Sequence, residues 1–462
     1  MQEITLIEML EARDRRAKKQ KDLIEEFKLP VISFTLNLAG NKKRSQIFDF
    51  IFNEAIHLID SSLCESIRYC EVLTERTGNV AFWTVDEDIN SLKLEMVALE
   101  TKNEVSRLYD IDVIGVDGIP ITRSDVELPP RMCLVCNEAP YLECRRNREH
   151  PIEDAVNKIN EISIDYIASK LSLIAAFSLE CELATTPKPG LVDRCNSGSH
   201  SDMDYLLFKK SISSIIPFLK LEFKSALEID SKMELFNSMK RIGIEAEIAM
   251  NEVTCGINTH RGAFFSLSAV GCAICYSLNC KDRVCEEDIK SFVSEFGRWA
   301  YSNNSDMTSH GAEAREKNCN YGIYNEIMNS YPSVFEICKK YHSDFCDAEI
   351  QNELYDLFDD YQFDEEFFEK YIENISLKIL CTLLSEVNDS NIVYRGGERE
   401  LELIHSRFKK IDESHCSIKD LKRLMKEEDA IFISKHLSPG GTADLLSLNL
   451  FVMTVKTISV LK

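Results

Sequence analysis

The sequence has too little positive charge to grip a polyanion over any wide surface: 54 Lys and Arg stand against 77 Asp and Glu, a net charge of −23 over 462 residues. Nucleic acids and anionic membranes both need an electropositive face, so this balance excludes them as general partners, and any phosphate site must be basic only locally. No secretory leader is expected, since Met1-Gln2-Glu3-Ile4-Thr5 is acidic where a signal peptide would be basic. A lipid-spanning run is also wanting: the charge-free stretch 262–278 is short and rich in Gly, Ser, Cys and Ala, which predicts a helix buried in a helical domain and no membrane partner. There is no internal repeat and no low-complexity tract. Cysteine, by contrast, is plentiful. Seventeen in a chain this large, an odd number, predict reduced thiols and a cytoplasmic protein.

With 44% hydrophobic and 28% charged residues the chain is that of a globular protein with ample core. Its length predicts two domains. The polar run from Pro151 to Asn160 marks the junction, giving domains 1–155 and 156–462.

The first part reads as α+β. Apolar residues Ile4, Leu6, Ile7 and Leu10 open a helix that continues through Arg13, Arg15, Arg16, Lys18, Lys19 and Lys21, either a solvated basic face or a docking surface for an acidic carrier protein. An alternating strand over 31–40 ends in Gly40 and the basic turn Asn41-Lys42-Lys43-Arg44. Helices are expected over 46–60 and 88–104, with a strand around Phe82–Val85. In Arg107-Leu-Tyr-Asp110-Ile-Asp112-Val the alternation puts Asp110 and Asp112 on one strand face, spaced to share a divalent cation, as nucleotidyl transferases use such a pair to hold Mg2+ on a triphosphate. Further on, Cys133, Cys136, Cys144 and His150 follow a C-x2-C-x7-C-x5-H spacing that offers the four ligands of a structural Zn2+; the alternative is reduced thiols packed as small hydrophobes. Arg107, Arg131, Arg145, Arg146, Arg148 and His150 would suit a pyrophosphate without any metal.

From Ile162 onward helical periodicity dominates, with helices expected over 162–184, 205–230, 234–254, 262–278, 286–302, 347–386, 398–410, 417–436 and 441–461 and a variable connection with a surface helix over 334–375. The segment 185–204 interrupts the pattern. Pro187 and Pro189 disfavour helix before them, and Gly190 frees a turn, so the segment predicts an ordered strap. It carries Lys188 and Arg194 for anions, an Asn196-Ser197-Gly198-Ser199 run whose amides would face a phosphate, and Asp193, His200, Asp202 and Asp204. The plainer reading is a loop in which Asp202 caps the helix near Tyr205. Downstream, Asn258-Thr-His260-Arg261-Gly262, Asp389-Ser-Asn391-Ile-Val-Tyr-Arg395-Gly-Gly397 and Leu437-Ser-Pro-Gly440-Gly441-Thr-Ala-Asp444 sit at loops or helix starts.

The strap and these three motifs resemble, in order, the signature of the triphosphoribosyl-dephospho-CoA synthases, which make the prosthetic-group precursor of citrate lyase. The Asp110/Asp112 strand and the closing Arg, Cys and His pattern are similar to the partner transferase that attaches the group. The resemblance implies a natural fusion: a nucleotidyltransferase-like domain followed by a larger, nearly all-α domain. It implies that ATP and 3′-dephospho-CoA give 2′-(5″-triphosphoribosyl)-3′-dephospho-CoA and adenine, and that the product is then transferred to a serine of the citrate lyase acyl carrier protein with loss of pyrophosphate. Glu182 and Asp193 are the expected catalytic carboxylates of the first step, and Asp110 and Asp112 those of the second. Lys188, Arg194, Ser197, Gly198, His260, Arg261, Arg395, Gly440 and Gly441 would bind phosphates, while Asp202 and Asp204 with His200 would hold Mg2+. Thr308-Ser-His310-Gly311 departs from the family's Thr-His-Gly-Glu, with Ala312 in place of the glutamate. The same chemistry serving malonate decarboxylase, and a remnant that binds nucleotide or carrier without turnover, are the alternatives.

Overall fold

The computed structural model describes residues 4–303, 322–358 and 361–458, so the Thr308–Gly311 motif lies outside the described residues. The chain divides into two compact units, Met1–Ile167 and Ala168–Lys462. The expected junction at 155/156 falls near the start of a long helix, Ile152–Ala184, within which the division lies.

In the first unit the elements run α1 (Leu6–Phe27), β1 (Val31–Leu36), α2 (Gln46–Leu63), β2 (Ile67–Glu75), β3 (Gly78–Val85), α3 (Ile89–Glu100), β4 (Tyr109–Ile114), β5 (Pro120–Ile121) and α4 (Tyr141–Asn147), followed by α5 (Ile152–Ala184). The strands form one antiparallel sheet in the order β2-β3-β1-β4-β5. Period-two alternation divides its side chains into two layers. Phe34, Trp83 and Ile111 face the α2 and α3 side, where Phe34 stacks on Phe52 at 4.8 Å and Trp83 donates to Asp60 at 2.7 Å. On the opposite face Val31, Val80, Phe82 and Ile114 pack against Leu23 and Ile24 of α1. Asp110 and Asp112 share that second face, paired across β1 with Thr35 and Ser33. Thr5 starts α1 as a capping box with Glu8, and Ser45 caps α2.

The second unit is helical: α6 (Tyr205–Glu228), α7 (Lys232–Val253), α8 (Arg261–Cys280), α9 (Glu286–Asn303), α10 (Ile323–Met328), α11 (Pro332–Phe345), α12 (Ala348–Leu357), α13 (Glu373–Glu386), α14 (Ser390–Gly396), α15 (Glu398–Glu413), α16 (Ile418–Ser434) and α17 (Gly440–Thr457). The helix expected over 347–386 is broken: α12 ends at Leu357, and Asp364 caps a new start that runs through a π-helical turn, Phe368–Ile372, into α13. Part of the stretch expected to be variable is α11, whose Phe335, Cys338, Tyr341 and Phe345 are core. Two helices, Ile152–Ala184 and Arg261–Cys280, are long and apolar enough to cross a membrane, but 72% and 78% of their apolar windows are buried within the protein. The run 262–278 is thus a core helix, as its small residues predict. Gly271 admits the ring of Phe223 from α6, which a β-carbon would displace.

Candidate active sites

Each unit gathers carboxylates beside cations, in different ways. In the first unit a cleft of about 830 Å³ lies along the α1 side of the sheet. Asp110 lines it together with Arg13, Arg16, Lys43, Arg107, Arg131, Arg145 and Arg148. These cations come from five separate stretches, so the local basicity is built by folding within an acidic chain. Arg131 approaches Asp110 at 3.8 Å, while its guanidinium also donates to the carbonyls of Arg107 and Tyr109. Arg107 donates to the Cys133 carbonyl at 2.9 Å, so these two arginines brace the 131–133 segment on β4. Lys43 donates to the Leu38 carbonyl, and burial, then the nearby Arg13, pushes its ammonium below the ordinary value. Two cations held close in this way favour an anion between them. Desolvation raises Asp110 and Asp112 above the usual carboxylate range, and the charge of Asp110 raises Asp112 further.

The basic run of α1 is only partly solvated. Arg15 pairs with Glu75 at 2.7 Å, Lys19 with Glu71 at 2.6 Å, and Arg16 reaches Thr35, so the helix is moored to the sheet edge while its Arg13 faces the cleft. Leu6, Ile7 and Leu10 at its start are exposed.

Beside the cleft, Met132 and Pro140 form a single antiparallel bridge around a tight turn, with Cys133 N–H donating to the Ala139 carbonyl and Asn137 in the left-handed region at φ 55°. Cys144 comes from α4 and His150 from just after it. The ligand atoms of Cys133, Cys136, Cys144 and His150 all lie within 4.8 Å of one another. The Glu138 amide, then His150, hold the Cys136 thiol down to about 6, whereas burial, then Cys136, pushes Cys144 up to about 12.

In the second unit the strap 185–204 follows α5, with Thr186–Pro187 cis. It docks on α16 and the turn before α17. Asp429 accepts from Gly190 N–H at 2.9 Å and from the Asn196 side chain at 3.1 Å, Ser199 donates to the Leu437 carbonyl, and His200 bonds Ser438 at 2.8 Å. Gly190 sits at φ 72°, where a β-carbon would overlap the Leu437 carbonyl, so glycine is required for this approach.

Beneath the strap lies a buried polar cluster. Lys188 donates to Glu182 Oε1 at 2.5 Å and to its carbonyl at 2.7 Å. His260 is buried beside Ser211 at 2.8 Å, with Nε2 lacking a hydrogen-bond partner, and burial, then Lys188, depresses its imidazole to about 3, so it is neutral. Asp389 caps α14 through the Asn391 and Ile392 amides and accepts from Thr442 N–H at 2.8 Å and Oγ1 at 2.9 Å. Asp444 accepts from the Ala263 amide in the first turn of α8, and a β-carbon on Gly262 would overlap its carboxylate. Burial, then the charges of Glu182 and Asp389, raises Asp444 well above the usual range. Three carboxylates thus share one electrostatic neighbourhood with a lysine and a neutral histidine.

Several expectations for the strap need correction. Its amides do not face outward: those of Cys195 and Asn196 donate to Asp193, Gly198 to the Asn196 side chain, Ser199 to Gly190 and His200 to Ser197, which leaves little of an anion nest around Ser197 and Gly198. Asp193, accepting also from Lys188 N–H at 3.1 Å, organises the strap with its oxygens already engaged. Arg194 pairs with Glu369 and Glu373 at 2.8 and 2.9 Å, Arg261 with Glu247 at 3.3 Å, and Arg395 donates to the His436 carbonyl at 3.1 Å, so each is engaged within the protein. Asp204, not Asp202, caps α6 by accepting from Leu207 N–H, and both carboxylates are exposed. Among the described residues His200, Asp202 and Asp204 do not bring their ligand atoms together. Gly440 and Gly441 lie against Asn391 and Asp389, where side chains would crowd the capping aspartate.

Asp389, Thr442 and Asp444 were missed as site residues although the motifs containing them stood out. Their signal was an aspartate just after a helix end and another near the start of the last helix, which reads from sequence as helix-end chemistry.

Residues 4–166 match the family described as apo-citrate lyase phosphoribosyl-dephospho-CoA transferase, and residues 168–461 the family described as ATP:dephospho-CoA triphosphoribosyl transferase. The two matches meet where the structure divides. The chain is similar to Protein CitXG of Haemophilus influenzae, 30% identical over 98% of this chain and 97% of that protein, and to Protein CitXG of Leuconostoc mesenteroides, 24% identical over 97% of each. A probable 2-(5″-triphosphoribosyl)-3′-dephosphocoenzyme-A synthase of Streptococcus mutans is 32% identical over 61% of this chain and 95% of its own length.

Proposed function

Since the chain belongs to the family that joins an apo-citrate lyase phosphoribosyl-dephospho-CoA transferase to an ATP:dephospho-CoA triphosphoribosyl transferase, we propose that its two units run consecutive steps on one prosthetic group. The enzyme is a bifunctional transferase that makes and attaches the citrate lyase prosthetic group. The observation that carries the division of labour is the coincidence of two family matches with two structural units, each holding its own carboxylate cluster.

In the second unit the ribose hydroxyl of 3′-dephospho-CoA attacks the anomeric carbon of the ATP ribose, and the bond to adenine breaks. Positive charge develops on the sugar in such a displacement. Glu182, kept beside Lys188, is the carboxylate that offsets it. Asp444, whose proton affinity is raised by its neighbours, delivers a proton to the departing adenine and recovers one from the attacking hydroxyl, so protons balance over the turnover. Asp389 and Thr442 hold the α17 start that carries Asp444. Magnesium here would travel on the triphosphate, which needs only one or two protein carboxylates.

In the first unit, which we take as nucleotidyltransferase-like on the strength of the Asp-x-Asp strand in a small antiparallel sheet, a serine hydroxyl of the acyl carrier protein attacks the phosphate next to the added ribose. Pyrophosphate leaves. Arg13, Lys43 and Arg145 suit the pyrophosphate, and Asp110 with Asp112 would hold Mg2+, which when bound supplies charge compensation for in-line transfer. The exposed Leu6, Ile7 and Leu10 beside the basic face of α1 suit the acidic carrier. Free cysteines, with no disulfide among the described residues, support a reducing cytoplasm.

The test is to incubate the chain with Mg2+, ATP and 3′-dephospho-CoA and measure free adenine, then to add apo-carrier from citrate lyase and follow its mass. Adenine release followed by a carrier mass gain of one phosphoribosyl-dephospho-CoA is expected. Adenine release without any gain on that carrier would overturn the assignment of the first unit.

A further inference from the structure

We infer that Cys133, Cys136, Cys144 and His150 bind one zinc ion, and that this ion is the brace that sets the cationic wall of the transferase cleft. The donor set comes first. Three thiols and an imidazole from two separate turns converge within 4.8 Å, the composition of a closed structural zinc site. Tetrahedral zinc with Zn–S arms of about 2.3 Å spaces its sulfurs about 3.8 Å apart. Cys136 and Cys144 stand at 3.7 Å. That separation is far beyond the roughly 2.05 Å of a disulfide, so oxidation does not explain the approach. The turn between the first two cysteines is shaped for the purpose: Asn137 takes a left-handed conformation and donates to the Cys133 carbonyl, folding Cys136 back toward Cys133. The Nε2 of His150 is buried and has no hydrogen-bond partner, a cost that coordination would relieve.

The position of the cluster gives the ion its purpose. Arg107 grips the carbonyl of Cys133 itself, and Arg131, two residues before Cys133, lies against Asp110. Arg145 and Arg148, between Cys144 and His150, line the same cleft. Arg131 is already held by the carbonyls of Arg107 and Tyr109, but beyond that the segment from 131 to 150 has only one isolated bridge and one seven-residue helix, little to fix Arg145 and Arg148 without a cross-link. A metal joining its two ends supplies that cross-link. This second half of the inference rests on the assignment of the first unit as the transferase; metal binding does not.

The experiment uses the full chain, purified under reducing conditions without chelators. Elemental analysis should give about one zinc per chain, and exchange with Co2+ should give thiolate charge-transfer absorption with visible bands of tetrahedral cobalt. Cys136→Ser should lose both signals. His150→Cys should keep the metal, whereas His150→Ala should lose it. Adenine release should stay within about twofold of the parent in every variant, which reports that the second unit has folded, and an unchanged near-ultraviolet signal from Trp83 reports the same of the first. A parent chain that takes up neither zinc nor cobalt, or a Cys136→Ser chain with unchanged metal content and cobalt spectrum, would overturn the site. A metal-free variant that modifies the carrier at the parent rate would overturn the bracing role. If the parent binds metal but modifies no carrier, the transferase assignment fails while the zinc site stands.

Discussion

Lys188 Nζ lies 2.5 Å from Glu182 Oε1 with the two side chains only 1% and 5% exposed, an ion pair sealed under the strap that crosses it. Burying both charges is costly, and the pair survives because the lysine also reaches the Glu182 carbonyl. Removing one partner strands the other. Lys188→Met is therefore expected to cost about 3–5 kcal/mol of stability, read as a fall in denaturant midpoint, and to abolish adenine release. The double variant Lys188→Met/Glu182→Leu should recover most of that stability and none of the activity. Recovery of both would show the pair to be structural only.

Gly262, the second residue of α8, lies with its α-carbon against the carboxylate of Asp444, leaving no room for a methyl group. Gly262→Ala should displace Asp444 and reduce adenine release by roughly 100-fold or more, the scale seen when one stabilising group is lost from a reaction centre. Carrier modification from pre-made precursor should be unchanged. Near-parental adenine release would remove Asp444 from the chemistry.

Much of this arrangement was legible in the residues, and what was not has physical causes. The alternation of β4 forecast that Asp110 and Asp112 share a face, because period two leaves no freedom once Ile111 and Val113 are buried. The charge-free run at 262–278 forecast a core helix. Strand β2 escaped notice because it is a sheet-edge strand whose residues alternate between half-buried and exposed, with Arg68, Glu71 and Glu75 diluting the apolar signal. In the strap, composition identified amides and small side chains but not their direction, and Asp193 folds them inward. Lys188 and His260 looked like phosphate ligands since charge is visible in sequence and burial is not. The convergence of Cys133, Cys136, Cys144 and His150 was legible as spacing alone, and the turn at Asn137 helps to bring them together.

Glu222 of α6 is fully buried, and burial pushes its carboxyl from the ordinary 4.5 up to about 8, with Ser268 offsetting a little. Its folded value lies above its unfolded one, so the stability that goes with the protonated form is complete below about pH 4.5 and is lost as pH rises toward 8. The slope is about 1.4 kcal/mol for each pH unit crossed. Glu222→Gln keeps the shape without the charge. Its melting temperature should equal that of the parent near pH 4.5 and exceed it near pH 8, and parallel curves at all pH values would show that Glu222 ionises freely in the folded state.

Asp112 projects from the same sheet face as Asp110, and after desolvation the charge of Asp110 raises its cost of ionisation. Asp112→Asn removes one charge with almost no change in volume, and its side chain reaches solvent although the surrounding cleft disfavours ionisation, so the melting temperature should move by less than about 2 °C for a change of ±0.5 kcal/mol or less. Carrier modification should fall by about 100-fold or more if the pair holds the ion against the scissile phosphate. Adenine release should be untouched, since its carboxylates lie in the other unit. Raising Mg2+ should restore part of the loss, because a weakened site is filled at higher concentration. A variant that is inactive in both steps would point to a shared fold defect, and one active in both would take Asp112 out of the site.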